Sequence, residues 1–220
     1  MARDEALLAT RREPTLRFYR WAQPTVSLGY FQAAGELPLK ELRARGYAVV
    51  RRDTGGKAIL HDRELTYSLC APETGALAGG PAAAMRAIHE ALAAELSRQA
   101  AAPVQLRETT AMQSDRVGSA WCFEDSSPLD LALDARKLVG SAARRRDGWV
   151  LFHGSLVLAA PVETPQIGAL EREPDLDALA AVLGQALGYD FAPGIWQDEE
   201  RDAVQSVAAR HAQAEFVERR

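Results

Sequence analysis

Cys122, Lys137 and the glycine loop that opens at Arg51 are the parts of this chain whose residue types and spacing could do chemistry. Cys122 lies in Ala120-Trp121-Cys122-Phe123-Glu124-Asp125. A thiolate is a strong nucleophile, and it needs a nearby cation to be favoured at neutral pH. A lone cysteine between aromatics also packs as a small apolar side chain, and the residues alone leave both readings open. Lys137 is the candidate cation. It follows a tight Asp134-Ala135 turn, so a hairpin there brings it back towards the Cys122 segment. The small residues Gly140, Ser141 and Ala142 come next and leave room for a ligand against the backbone.

The second cluster is Arg51-Arg52-Asp53-Thr54-Gly55-Gly56-Lys57, closed by His61-Asp62. Adjacent glycines allow positive φ and close approach of backbone to a ligand. The arginines could offer forked donors to a carboxylate or phosphate. His61 and His153, the latter followed by Gly154-Ser155, each could be an ordinary hydrogen-bonded histidine, and His61 is favoured as functional only because it closes the glycine loop. Cys70, in Leu65-Thr66-Tyr67-Ser68-Leu69-Cys70, reads as core. His89 and His211 read as surface residues on helices. No set of His, Cys and carboxylate has zinc-ligand spacing, and neither a Walker loop nor a GxGxxG pattern is present.

The elements that must position these residues follow from hydrophobic period. Helices are expected over Asp4–Arg12, Pro38–Arg45, Pro81–Ala101, Asp175–Leu187 and Gln197–Phe216. The long one carries Met85, Ile88, Leu92 and Leu96 on one face. Strands are expected over 15–21, 25–31, 47–52, 58–61, 64–71, 104–106, 129–133, 137–145 and 149–159, with loops at 75–80 and 108–119. The order gives an α+β fold, a mixed and mostly antiparallel sheet packed with helices.

Bulk properties bound the function. The chain has 220 residues, 47% of them hydrophobic and 25% charged, which fits one catalytic-sized domain spanning 1–220. A net charge of −4 argues against a general nucleic-acid binder, although Arg144-Arg145-Arg146 is a local basic patch. No apolar run is long enough for a membrane helix, and the first residues lack an apolar signal core. Two unpaired-looking cysteines suit a cytoplasmic protein.

RRDTGGKAILHD resembles the RRxSGGGxVxHD signature of lipoate-protein ligases and octanoyltransferases, a superfamily that includes the catalytic domain of biotin ligases. RKLVGSA resembles their KxxGxA element and FHGSLVL their HGSxLL element. DEALL and RFYRWAQPTVSLGYFQ resemble the family's first helix and opening hairpin. The resemblance runs from about residue 4 to residue 160 and implies the biotin/lipoate-ligase catalytic-domain fold. A Cys-Phe pair fifteen positions before the motif lysine resembles the cysteine-dependent, LipM-type octanoyltransferases. That resemblance implies octanoyl transfer from acyl carrier protein to a lysine of a lipoyl domain, through a thioester on Cys122 with Lys137 beside it and no required cofactor. The lipoyl domain would belong to a glycine-cleavage H protein or a 2-oxoacid dehydrogenase acyltransferase subunit. It places Arg51, Arg52, Thr54, Gly55, Gly56, Lys57, His61, Gly140, Ser141, Ala142, His153 and Gly154 around the substrate. Nucleic acid, membrane and metal have no part in it, and no full accessory domain is expected.

Three positions depart from the family pattern: Lys57 for the third loop glycine, Ala143 for the glutamine of GSAQ, and Ala135 for the turn glycine. Two other readings stand beside the first. One is an ATP- and Mg-dependent lipoate or octanoate ligase, with Arg51, Arg52 and Lys137 around an acyl-adenylate. The other is a non-catalytic acyl- or lipoyl-domain-binding relative.

Overall fold

The computed structural model describes residues 1–211 and 213–218. Helix α1 (Ala2–Thr10) ends where Arg11 turns left-handed, with φ 49°, ahead of the expected stop at Pro14. Six strands form the main sheet in the order β1 (Thr15–Tyr19), β5 (Glu64–Pro72), β9 (Trp149–Val157), β8 (Arg136–Arg146), β7 (Leu131–Leu133) and β6 (Val104–Leu106). All neighbours in it are antiparallel. A smaller sheet holds β3 (Ala48–Arg51), β2 (Thr25–Leu28) and β4 (Ile59–His61), with β2 and β3 parallel. The expected opening hairpin therefore does not form. β1 pairs with β5 and β2 with β3 and β4, so the two strands separate into different sheets at Trp21–Pro24. The mixed, mostly antiparallel α+β class is as read from the sequence.

Side-chain alternation sorts the central strands between two faces. Leu65, Tyr67 and Leu69 of β5 and Val150, Phe152 and Leu156 of β9 enter the main core. There they meet Ile88, Leu92 and Leu96 of α3 (Pro81–Ala100) and Leu179 and Leu183 of α4 (Leu176–Leu187). Each such side chain stabilises the fold by about 1.5–3 kcal/mol relative to exposure. The residues between them face the other way. Leu7 and Leu8 of α1 cover Cys70 and Leu151 there. Further along that face the strands carry small and polar residues, and registers align them in rows: Thr66, Ser155 and Gly140, then Ser68, His153 and Ala142.

Other segments of the sequence reading shift in detail. The last helix divides into α5 (Asp198–His211) and α6 (Ala214–Val217), and Ala212 lies outside the described residues. The 75–80 loop holds a short 3-10 turn at Gly75–Leu77. The basic patch is neutralised: Arg144 pairs with Asp53, Arg145 with Glu73, and Arg146 with Asp147. Among the described residues no helix is long and apolar enough to cross a membrane.

Candidate active site

The floor of the site is the pair of small and polar rows on the main sheet. The small sheet supplies one wall and the loop that carries Cys122 supplies the lip. Arg52, Gly56, His61, Cys122, Gly140, Ser141, Ala142, His153 and Gly154 all border one cleft. Ile59, Thr66 and Ser155 join them, and sequence reading had not singled these out for the site.

Cys122 opens a short 3-10 turn, Cys122–Glu124, after Trp121. Ala58 and Trp121 form an isolated parallel bridge. Through it the Cys122 N–H donates to the Ala58 carbonyl at 2.7 Å, and the Ala58 N–H donates to the Ala120 carbonyl at 3.1 Å. The exit of the glycine loop and the cysteine segment are thus bonded backbone to backbone.

Lys137, near the start of β8, reaches the cysteine past Gly140. The β7–β8 connection is the two-residue turn expected from sequence, with Asp134 at φ 50° and Ala135 at φ 55°. Two left-handed residues match the twist of a hairpin. The Lys137 ammonium lies 3.5 Å from Cys122 Sγ and donates to the Cys122 carbonyl at 2.8 Å. It is also 2.7 Å from Asp130 Oδ2. Burial opposes its charge, but Cys122 and Asp130 outweigh burial and raise its pKa. Gly140 is glycine for a steric reason, since a Cβ there would stand 2.7 Å from Lys137 Cε and 3.1 Å from its Nζ.

The two arginines are not the phosphate-facing pair that the sequence suggested. Arg51 is fully buried, and its guanidinium donates to the carbonyls of Gly29, Gln32 and Val217 at 2.6, 2.6 and 2.9 Å. It joins the β2–α2 connection (α2 is Leu39–Ala44) to the C-terminal helix α6, away from the cleft. Arg52 reaches the cleft but donates to the carbonyls of Ser27, Gly55 and Lys57 at 2.9, 2.8 and 2.7 Å. Burial lowers its pKa to about 10, opposed by Cys122 and aided by Arg51. Arg52 shapes the loop by bonding its backbone, whereas Arg51 bonds backbone outside it.

Within that loop only Gly56 has a positive φ, at 91°. Gly55 and Lys57 do not require glycine on backbone grounds, which explains how lysine is accommodated at 57. Lys57 Nζ donates to the Ser119 carbonyl and pairs with Asp125, both at 2.7 Å, so it fastens the loop to the cysteine segment from outside the cleft. Thr54 also lies outside the lining and acts through His153, its Oγ1 being 2.5 Å from His153 Nε2. Burial, against the pull of Asp4, lowers His153 to a pKa of about 3, so the ring is neutral. Its Nδ1 has no hydrogen-bond partner among the described residues. His61 Nδ1 is 2.8 Å from Glu64 and its Nε2 is 2.7 Å from Ser27 Oγ, while Trp21 stacks on the ring.

Two sequence expectations for histidines are corrected. His89 is fully buried. Its Nδ1 bonds the Leu129 carbonyl and its Nε2 the Ser141 hydroxyl, which also meets Tyr67. His89 lies on the buried side of α3 against β8, while Glu90 and Arg98 of the same helix face water. Burial lowers the His89 pKa, and Ser141 directs its hydroxyl to this pair. His211 is also covered, 2.9 Å from Glu5. Cys70 is core as expected, its thiol pushed up to about 12 by burial.

Three contributors were missed. Asp130 is buried beside Lys137 and takes the Ser127 N–H at 2.6 Å. Glu64 is buried beneath His61. Gly29 faces Gly56, and a Cβ on it would overlap the Gly56 carbonyl. The Asp in Leu129-Asp130-Leu131 offered one signal, as an acidic residue on the expected strand.

The family model for the lipoyl protein ligase A/B catalytic domain matches residues 1–167. Octanoyltransferase LipM of Moorella thermoacetica is 36% identical to the chain, covering all of it and 93% of that protein. Octanoyltransferase LipM of Symbiobacterium thermophilum is 36% identical over 96% of this chain and 90% of its own length. A bi-partite lipoate protein ligase from Thermoplasma acidophilum superposes with a TM-score of 0.79 at 20% identity, covering 99% of this chain and 89% of that one, which is a likeness of fold. The matched span holds the glycine loop, the Cys122 segment and the Lys137 hairpin that meet at the cleft, and on that ground the chain belongs to the lipoyl protein ligase A/B catalytic-domain family.

Proposed function

We propose that the protein is an octanoyltransferase of lipoate biosynthesis that works through Cys122. The Cys122 thiolate attacks the thioester carbonyl of octanoyl-acyl carrier protein. The carrier leaves as its thiolate, and the octanoyl group stays on Cys122 as a thioester. The amine of a lipoyl-domain lysine then attacks that carbonyl; the C–N bond forms, the C–S bond breaks to return the thiolate, and the proton lost from nitrogen passes to solvent. The observation that carries this reading is the 3.5 Å separation of Lys137 Nζ from Cys122 Sγ at the edge of a glycine-lined cleft. The ammonium favours the thiolate and offers positive charge to the carbonyl oxygen as it becomes an oxyanion. The full-length likeness to LipM octanoyltransferases supports the same chemistry.

The cleft suits an acyl tail. Gly56, Ile59, Ala142 and Gly154 give it small or apolar walls, and each buried methylene stabilises binding by about 0.8 kcal/mol. The acceptor would be a lipoyl domain of an H protein or a 2-oxoacid dehydrogenase subunit, met in the cytoplasm. Adenylate chemistry would need donors for a phosphate. Arg51 and Arg52 direct theirs to backbone carbonyls instead, which favours the transferase over the ligase.

Intact-mass measurement after mixing with octanoyl-acyl carrier protein, with and without ATP, tests the reading. One octanoyl adduct on Cys122 without ATP is expected, and none in Cys122→Ser. Acylation that requires free octanoate and ATP would select the ligase.

A further inference from the structure

We propose that Asp130 is a positioning residue that holds Lys137 as an ammonium ion while Cys122 carries the acyl group, and so prevents the group from passing from the Cys122 sulfur to the Lys137 nitrogen. The inference rests on the thioester reading above and concerns a hazard that this reading creates.

The hazard follows from distance. Lys137 Nζ is 3.5 Å from Cys122 Sγ, and a thioester carbonyl carbon bonded to that sulfur falls within reach of the amine, near the separation of reacting atoms in productive complexes. A neutral amine there is a nucleophile held next to an activated acyl group. Its lone pair would form a C–N bond, the C–S bond would break, and the proton released from nitrogen would go to the departing thiolate. The amide left on Lys137 has no route back, so the enzyme would be dead after one turnover.

Burial pushes Lys137 towards that neutral form. Its side chain is 2% exposed, and desolvation disfavours a buried ammonium. Before acylation the Cys122 thiolate and Asp130 both oppose this. Acylation removes the thiolate's charge, and Asp130 becomes the one anion in contact with the ammonium among the described residues. The remaining neighbours carry no negative charge. They are the carbonyls of Cys122 and Asp125, the Phe123 ring at 5.2 Å and the buried His89 nearby. Asp130 is built for the task. It is 4% exposed, sits 2.7 Å from the ammonium, and is fixed by the Ser127 N–H at 2.6 Å. With the sulfur acylated, the Cys122 and Asp125 carbonyls and Asp130 are three acceptors around Nζ, matching the three donors of an ammonium rather than the two of an amine.

The chain has lysines at 40, 57 and 137 only, so the site of any amide is easily mapped. The experiment incubates parent, Asp130→Asn, Asp130→Glu and Asp130→Asn/Cys122→Ser with octanoyl-acyl carrier protein, treats each with hydroxylamine, and maps surviving octanoyl by peptide mass spectrometry. The parent should keep only a hydroxylamine-labile adduct. Asp130→Asn should accumulate a resistant adduct on Lys137, Asp130→Glu should return to the labile form, and the double variant should lack the resistant adduct. A fully labile adduct in Asp130→Asn, or resistant octanoyl on Lys40 or Lys57 alone, overturns the proposal. If Asp130→Asn does not fold, the parent itself decides. Its acylated form should yield the Lys137 amide only as pH nears the ordinary lysine range of about 10.4, and an amide forming near neutral pH overturns the proposal. A parent that forms no labile adduct at all removes the thioester reading, and this proposal with it.

Discussion

The Cys122 N–H donates to the Ala58 carbonyl at 2.7 Å, and this bond fixes the cysteine to the end of the glycine loop. Lys57, one residue earlier, adds its bonds to Ser119 and Asp125. Loop and cysteine segment therefore move together, and a change that displaces one displaces the other.

Gly29→Ala tests that coupling from a distance. The new Cβ would overlap the Gly56 carbonyl, and backbone cannot step aside as a side chain can. Overpacking of this kind costs about 1–3 kcal/mol or more. Urea unfolding should show at least that loss, and acylation of Cys122 should slow with it. An unchanged midpoint would mean the loop yields freely.

Removing the cation should separate stability from rate. Lys137→Met leaves Asp130 a buried carboxylate without its partner, at a cost of about 3–5 kcal/mol. Lys137→Met/Asp130→Asn should regain most of that stability. Neither should regain the rate, because loss of a charged donor at a developing oxyanion costs about 10²–10³-fold. Single-turnover acylation and denaturant unfolding read the two effects independently; a double variant as fast as the parent contradicts the role given to Lys137.

The β7–β8 turn carries an unrelieved strain. Ala135 holds φ 55°, a conformation that costs an L-residue about 1–2 kcal/mol. Ala135→Gly should raise stability by roughly 0.5–1 kcal/mol after glycine's greater unfolded-state entropy is set against it. Thermal unfolding should register the gain while the acylation rate stays put.

Acid should weaken the fold through His153. Its folded pKa is depressed to about 3 by burial, against about 6.5 unfolded. The unfolded chain therefore binds the extra proton. Stability is complete above about pH 6.5 and falls as pH drops towards 3, by about 1.4 kcal/mol per unit. Buried His89, lowered in the same direction, adds to the slope. Unfolding at pH 7 and pH 5 should show a smaller difference in His153→Asn than in the parent, and equal slopes would refute the assignment.

What could be read from the sequence was whatever depends on local pattern. The Asp134-Ala135 turn, the long amphipathic helix and the small-residue strand at 140–142 each announce themselves in a few neighbouring residues. The meeting of Cys122 with Lys137 was legible for the same reason, since one hairpin relates them. What depended on partners far along the chain was not. The fate of Arg51 is decided by carbonyls at 29, 32 and 217, and no local feature separates a structural arginine from a ligand-facing one. His89 is an exception: four residues after Met85 and three before Leu92, it shares their face by period, so its burial could be read from spacing. The separation of β1 from β2 into two sheets has the same origin as the fate of Arg51, because the partner strands β5 and β3 lie well downstream.

The central claim is that an acyl group resides on Cys122 on its way to a lysine. Octanoylated enzyme, freed of donor and ATP by rapid gel filtration, is mixed with an unmodified lipoyl domain, and both masses are followed with time. The octanoyl mass should leave Cys122 and appear as an amide on the lipoyl-domain lysine at matching rates. An adduct that stays on Cys122 while the lipoyl domain remains unmodified, or transfer that resumes only when donor or ATP is restored, would contradict it.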